Sequence, residues 1–177
     1  RDLHSFPTRR SSDLDNVYFR CGALELDTGL NFPMLKKLTA KVPVVKAMCG
    51  DDGALLEMVL EKEPDAIIVE GFGRGNLPAG RMPAIKKAVK KGIFVVISTR
   101  ASSGRVLDST VFPGSVAQCL ECGCLLAGET TTSKARLLLM YVLSQKEAIQ
   151  LKKEDPERFF AYVQECLDPV LTNRLFG

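Results

Sequence analysis

The chain has 177 residues, 46% hydrophobic and 25% charged, with a formal net charge of +3. That length and apolar fraction suit one domain with an ordinary core, and no apolar run approaches the roughly 20 residues of a membrane-spanning helix. The charge is too small to argue for nucleic acid or an anionic membrane as partner, and neither is expected.

Residues 1–14 read RDLHSFPTRRSSDL. They translate one reading frame of a common sequencing adapter, codon for codon, so they are read as an adapter-derived scar and set outside the fold. His4, the only histidine, falls inside this segment. Without its three arginines and two aspartates the net charge is +2. On this reading the remainder is an N-terminally truncated piece. Residues 15–41 are mixed, with an apolar piece at 17–19, a turn at 27–29 and a short helix expected at 33–38. They read as a linker, or a remnant of a preceding domain.

From Val42 the rhythm becomes regular, and a single domain is expected over 42–177. Residues 42–48 (VPVVKAM) predict a strand, and the turn GDDG at 50–53 follows, with Asp52 placed to cap a helix. Leu55, Leu56, Val59 and Leu60 repeat at helical spacing over 54–63, where Pro64 stops the helix. The continuous apolar run 66–69 predicts a strand covered on both faces. Pro83 suits a first helical position and Gly92 a C-terminal cap, with Ile85, Ala88 and Val89 as the apolar stripe between them. Further strands are expected at 93–97 and 124–127, and helices at 114–121, from Thr131 or Thr132 to Ser144, and at 156–166. Strand alternating with helix predicts an α/β fold: a small parallel sheet of about four strands, flanked by helices on both faces.

Six cysteines are present: Cys21, Cys49, Cys119, Cys122, Cys124 and Cys166. A chain of this size and apolarity needs no disulfide staples, so they read as free thiols in a reducing cytosol. The CxxCxC run at 119–124 lacks the second pair and the histidine that a zinc site wants. It falls late in an apolar-spaced helix, where core packing explains it, and no metal is expected.

The segment most telling for function is 64–105, PDAIIVEGFGRGNLPAGRMPAIKKAVKKGIFVVISTRASSGR. A buried strand runs into a three-glycine loop ending in Asn76, and the next strand ends in a polar loop. In an open parallel sheet such loops line the ligand crevice, so Asn76 and residues 98–103 are expected on one edge, facing a small polar ligand. A dinucleotide reading fails. The spacing is G-x-G-x-G-N, the helix opens only near Pro83, and the next strand ends in Ser98-Thr99-Arg100 without a ribose-binding acid. No phosphate loop and no cofactor motif is present. The glycines either form a plain strand-end turn or shape the backbone so that Asn76, which carries both a donor and an acceptor, reaches an amino-acid ligand. The loop 98–105 divides between turn chemistry and a ligand role. A serine triad cannot be built without a histidine, so no catalytic residue is assigned. Thr130, Thr131 and Thr132 read as helix caps, and Lys86, Lys87, Lys90 and Lys91 as a solvated helix face.

Together, GFGRGNLP at 71–78, GIFVVISTRASSGRV at 92–106 and VFPGSVAQCLECGCLLAGETTTSKARLLLMYVLSQ at 111–145 resemble the C-terminal domain of the L-asparaginase/glutaminase family, with 46–60 fitting the preceding strand and helix. The resemblance implies hydrolysis of the side-chain amide of asparagine, sometimes glutamine, to the acid and ammonia. It implies a threonine nucleophile in an N-terminal domain not seen in this sequence. It also implies a homo-oligomer whose active sites are shared between subunits, and in the cytoplasmic branch an effector site near the third strand. On the family pattern Asn76 and Gly75 fall at the substrate-binding loop, and Thr99 at the effector position. The alternative is an amino-acid-sensing or assembly domain of a larger amidotransferase-type protein.

Overall fold

The computed structural model describes residues 9–12, 17–20, 33–107 and 111–171. The turn expected at 27–29, His4 and Cys21 lie outside them. Strands β1 (Arg9–Ser12) and β2 (Val17–Arg20) pair antiparallel as a two-stranded ribbon that does not join the main sheet. The main sheet has four parallel strands in sequential order: β3 (Val44–Lys46), β4 (Ala66–Gly71), β5 (Phe94–Thr99) and β6 (Leu125–Leu126). Val44 stands beside Ile68, Ile68 beside Val96, and Val96 beside Leu125. Helices α1 (Ala54–Leu60), α2 (Met82–Lys90) and α3 (Val116–Glu121) connect the strands. Helices α4 (Thr132–Leu143), α5 (Lys146–Glu154) and α6 (Pro156–Leu171) follow.

Successive side chains of a strand point to opposite faces, and the apolar runs of β4 and β5 therefore feed two cores. Ile67, Val69, Val95 and Ile97 pack with Leu56, Ile85 and Val116 of the first three helices. Ala66, Ile68, Phe94 and Val96 pack against Leu139, Val142, Phe159 and Val163 of the last three. The Phe94 ring centre lies 5.5 Å from Phe159 and 4.5 Å from Phe160. The expected α/β sheet of four strands, covered by helices on both faces, is the fold this chain adopts. No helix among the described residues is long and apolar enough to cross a membrane.

Four local expectations change. Asp52 is not the N-cap of α1: Gly53 holds that position with φ +88, and Asp52 Oδ1 accepts only the Ala54 N–H at 2.9 Å. Residues 33–38 are not helical. Tertiary bonds hold the chain here instead: the Tyr141 hydroxyl donates to the Pro33 carbonyl at 2.5 Å, and the N–H groups of Thr39 and Ala40 both donate to Ser144 Oγ at 2.8 and 3.0 Å. The helix expected from residue 114 starts two residues later, because Ser115 is its N-cap and accepts from the Gln118 N–H at 3.2 Å. Helix α5 has no counterpart among the expected elements. It buries only Ala148, too thin a stripe to show against its charged residues.

Strand β3 forms one edge of the sheet, and two arginines close on carbonyls in it and just before it. Arg136 Nε donates to the Val42 oxygen at 2.8 Å, just before the strand. Arg81, fully buried, donates from Nη1 to the Val45 oxygen at 3.3 Å and from Nη2 to the Lys46 oxygen at 3.1 Å. Occupied carbonyls make an edge a poor template for a further strand. Arg81 also forms an ion pair with Asp51, whose other oxygen accepts the Gly53 N–H at 2.8 Å. Burial pushes the Asp51 carboxyl up, but the Gly53 amide and the Arg81 guanidinium together outweigh it and hold the group below its ordinary value of 3.8.

A depressed folded-state pKa stabilises the fold above the unfolded value, and that contribution fades as pH falls through the folded one. Asp51→Asn leaves a buried guanidinium without its counter-charge, and should cost on the order of 3 kcal/mol in urea unfolding at pH 7. The gap to the parent chain should shrink steadily below the ordinary aspartate value of 3.8. A gap that is unchanged at pH 3 would show that the charge on Asp51 is not what holds Arg81.

Candidate functional site

The carboxyl ends of β4, β5 and β6 open onto a cleft of about 530 Å³. Its walls are residues 99–104, which follow β5, and 128–133, which lead into α4; Glu70 at the end of β4 forms its base. Hydroxyls dominate the lining, with Arg100 contributing a positive charge and Glu70 and Glu129 negative ones. The cleft thus offers groups of both signs to a small zwitterion.

A hydrogen-bonded chain organises its floor. Lys46 Nζ lies 3.2 Å from Glu70 Oε2, the Thr132 hydroxyl donates to Glu70 Oε1 at 2.9 Å, and Ser98 Oγ shares a hydrogen bond with Thr132 Oγ1 at 2.8 Å. Only 15% of the Glu70 side chain is exposed, and Ser98 is buried. Reading all three threonines of 130–132 as caps is therefore too simple. Thr131 caps α4, accepting from the Lys134 N–H at 3.5 Å, whereas Thr132 turns to Glu70. The sequence signal for Glu70 was one carboxylate closing the apolar run AIIV, in a strand whose other side chains all go into the cores.

The loops after β4 and β5 are stitched together through Gly71 and Gly73, but Asn76, expected to face one ligand with residues 98–103, turns instead to the start of α3. The Thr99 hydroxyl donates to the Gly73 carbonyl and accepts from the Ala101 N–H at 3.1 Å. The Arg100 N–H donates to the Gly71 oxygen at 3.2 Å, and its guanidinium sits 4.2 Å over the Phe72 ring, a cation–π contact. Thr99 lines the cleft, while Gly75 and Asn76 do not.

Gly75 is buried with φ +108, and a Cβ there would sit 2.7 Å from Val106 Cγ1 and 3.2 Å from both Ile97 and Val116 methyls. Only glycine fits both the conformation and the space. The loop closes through a two-way backbone pair between Phe72 and Asn76, at 2.8 and 3.0 Å. It then reaches the turn ahead of α3, where the Leu77 N–H donates to the Gly114 oxygen at 2.8 Å. This contact fixes the half-buried Asn76 side chain: its Oδ1 accepts the Val116 N–H at 3.2 Å. Since an N–H can only meet the carbonyl side of the amide, Nδ2 is the free end, and it has no partner among the described residues.

Cys49, Cys119, Cys122, Cys124 and Cys166 are free thiols. Cys119 and Cys124 are buried in the core of α2 and α3, and no group of three or more His, Cys, Asp or Glu among the described residues could hold a metal ion. Hydrogen bonding to Cys119, reinforced by burial, pushes the Cys124 thiol far above its usual range, and burial pushes Cys122 up. Neither has the thiolate character that reactivity needs.

Removing the Thr132 hydroxyl should strand Glu70 and Ser98 together. Thr132→Val is expected to lower stability by about 1–3 kcal/mol, the cost of buried polar groups left without a partner. Guanidinium unfolding reads this directly, and an unchanged midpoint would show that water replaces Thr132 without penalty.

Residues 41–154 match the model of the glutaminase/asparaginase C-terminal domain. The chain is 30% identical over 152 residues to an L-asparaginase of Bacillus licheniformis, covering 85% of this chain and 46% of that protein. It is 31% identical over 123 residues to a probable L-asparaginase of Deinococcus radiodurans, covering 70% and 36%. A glutamyl-tRNA(Gln) amidotransferase subunit of Pyrococcus furiosus is 29% identical over 118 residues, covering 67% and 26%. The chain thus spans about half or less of the length of these relatives. The domain match covers all four strands of the main sheet, both loops of the stitched edge and helices α1 to α5, and on that ground the chain belongs to the glutaminase/asparaginase family as a C-terminal domain.

Proposed function

We propose that this domain, running over 42–177, is the substrate-orienting half of a cytoplasmic L-asparaginase. The enzyme hydrolyses the side-chain amide of asparagine to aspartate and ammonia, and its nucleophilic threonine belongs to a half corresponding to the part of the relatives that this chain does not span. The observation that carries the proposal is the fixed polarity of Asn76. With Oδ1 held by the Val116 N–H, the residue presents an N–H donor, matched to a carboxylate or carbonyl oxygen of an amino-acid ligand. Gly75 supports it by letting the backbone pass beneath Val106. Such a group contributes positioning, which acts on rate through geometry.

The chemistry of the described residues fits this division of labour. Amide hydrolysis needs an activated nucleophile and a base that takes its proton. Thr132 does donate to a carboxylate, but Glu70 is held by Lys46 and Thr132 by Ser98, a static network at the floor of the cleft. The site works in trans on this proposal, Asn76 entering the active site of a neighbouring protomer of a homo-oligomer, without nucleic acid or membrane as partner. The cleft around Thr99 receives asparagine as an effector, its Arg100 facing the carboxylate group of the amino acid.

A second reading is favoured by the amidotransferase relatives: an amino-acid-sensing or assembly domain of an amidotransferase-type protein. Ammonia release from L-asparagine by the intact protein separates the two, because turnover supports the half-site, whereas asparagine binding without turnover supports the sensor.

In the intact enzyme, Asn76→Ala should lower kcat/KM by about 1–3 kcal/mol, or roughly 5- to 150-fold. Asn76→Asp should lose at least as much, since it offers an acceptor where a donor is needed. Steady-state ammonia release measures both, and unchanged kinetics in folded variants would remove Asn76 from the site.

A further inference from the structure

A second cleft, of about 330 Å³, lies at the end of the domain opposite the stitched loops, where the chain enters β3 and β4. Its floor is apolar, built by Val42, Pro43 and Val59, and its rim carries Lys41, Lys62 and Arg136. No acidic residue lines it. This is a local concentration of positive charge in a chain whose net charge is only +3.

The three cations are available to a ligand. Arg136 spends Nε on the Val42 carbonyl at 2.8 Å, which pins the guanidinium at the mouth of the cleft, and its two Nη groups have no partner among the described residues. The ammonium groups of Lys41 and Lys62 form no ion pair among the described residues. The neighbouring carboxylate, Asp65, is already engaged: Oδ2 accepts the Lys41 backbone N–H at 2.8 Å, and Oδ1 binds Lys152 Nζ at 2.7 Å. Its charge still attracts the Lys41 ammonium, so Arg136 and Lys62 are the cations of the rim that no carboxylate claims.

We propose that this cleft binds a small organic phosphate, its phosphate on Arg136, Lys41 and Lys62 and its apolar body on the Val42, Pro43 and Val59 floor. A pinned guanidinium offers two parallel N–H groups to phosphate oxygens. Exposed single ion pairs are weak, so a dianion that meets three cations at once is favoured over a monocarboxylate. The volume lies at the small end of the range of ligand sites, room for one ring and a phosphate. Neither the substrate nor the effector role proposed above uses this face.

The test is titration of the full chain with phenyl phosphate at low salt, followed by calorimetry or amide shifts, with inorganic phosphate and phenol as comparison probes. Phenyl phosphate should saturate near or below about 1 mM, bind roughly tenfold more tightly than inorganic phosphate, and weaken as salt screens the rim. Phenol should show no saturable binding. The double variant Lys41→Gln, Lys62→Gln, which alters exposed side chains only, should weaken phenyl phosphate by about tenfold, with thermal unfolding unchanged. Arg136→Gln should abolish saturation. Equal affinity for phenyl and inorganic phosphate, full affinity in the double variant, or no saturation by about 10 mM would each overturn the proposal.

Discussion

The geometry of the edge that carries Asn76 depends on how closely two stretches of backbone approach each other: the loop that leaves β4 and the turn that precedes α3. The Leu77 N–H donates to the Gly114 oxygen at 2.8 Å, and a Cβ on Gly114 would run into the Leu77 carbonyl. Gly75 passes under Val106, Ile97 and Val116 with as little room. These contacts bring the first amide of α3 to Asn76 and settle which end of its side chain is free. An amide side chain on a surface loop would ordinarily sample both orientations. Here the orientation is decided by a backbone donor whose own place is fixed by core packing, because Val116 is fully buried. Pre-organisation of this kind lets a single residue contribute to binding without ordering itself first.

The sheet positions that edge through two unequal cores. Helices α1, α2 and α3 cover one face, α4, α5 and α6 the other. Its outer strands are too short for the sheet to hold its shape by pairing alone, since β3 has three residues and β6 two. Arg81 compensates by binding the Val45 and Lys46 carbonyls of β3, and Arg136 by binding the Val42 carbonyl just before it. Arg81 also ties the turn after β3 to the segment entering α2, the same segment that continues from the Asn76 loop. Stability of the edge strand and placement of the Asn76 loop are thus mechanically linked.

Much of this was legible in the residues. The apolar runs AIIV and FVVI announce central strands, and the stripe Ile85, Ala88, Val89 announces α2, because burial on both faces or along one stripe leaves a periodic mark. The G-x-G-x-G-N spacing marked the loop and Asn76. What escaped notice depends on contacts remote in sequence. Thr132 looks like any residue of a helix start, yet its hydroxyl is claimed by Glu70, 62 residues away. Arg81 looks like a surface cation ahead of a helix, yet it is fully buried against β3 and Asp51. Residues 33–38 have an apolar spacing that suits a helix, but the Ser144 hydroxyl and the end of α4 hold the chain that follows in another path. Helix α5 failed for the reverse reason, its burial being too slight to leave a period.

On the proposed function, this domain orients a substrate without supplying the nucleophile. The most direct measurement is ammonia release from L-asparagine by the purified chain, with circular dichroism and cooperative unfolding confirming that it is folded. Release no faster than the buffer blank is predicted. Clear turnover that Thr132→Val abolishes would contradict the proposal, and would move the chemistry from a partner half to the Glu70 and Thr132 pair at the base of the cleft.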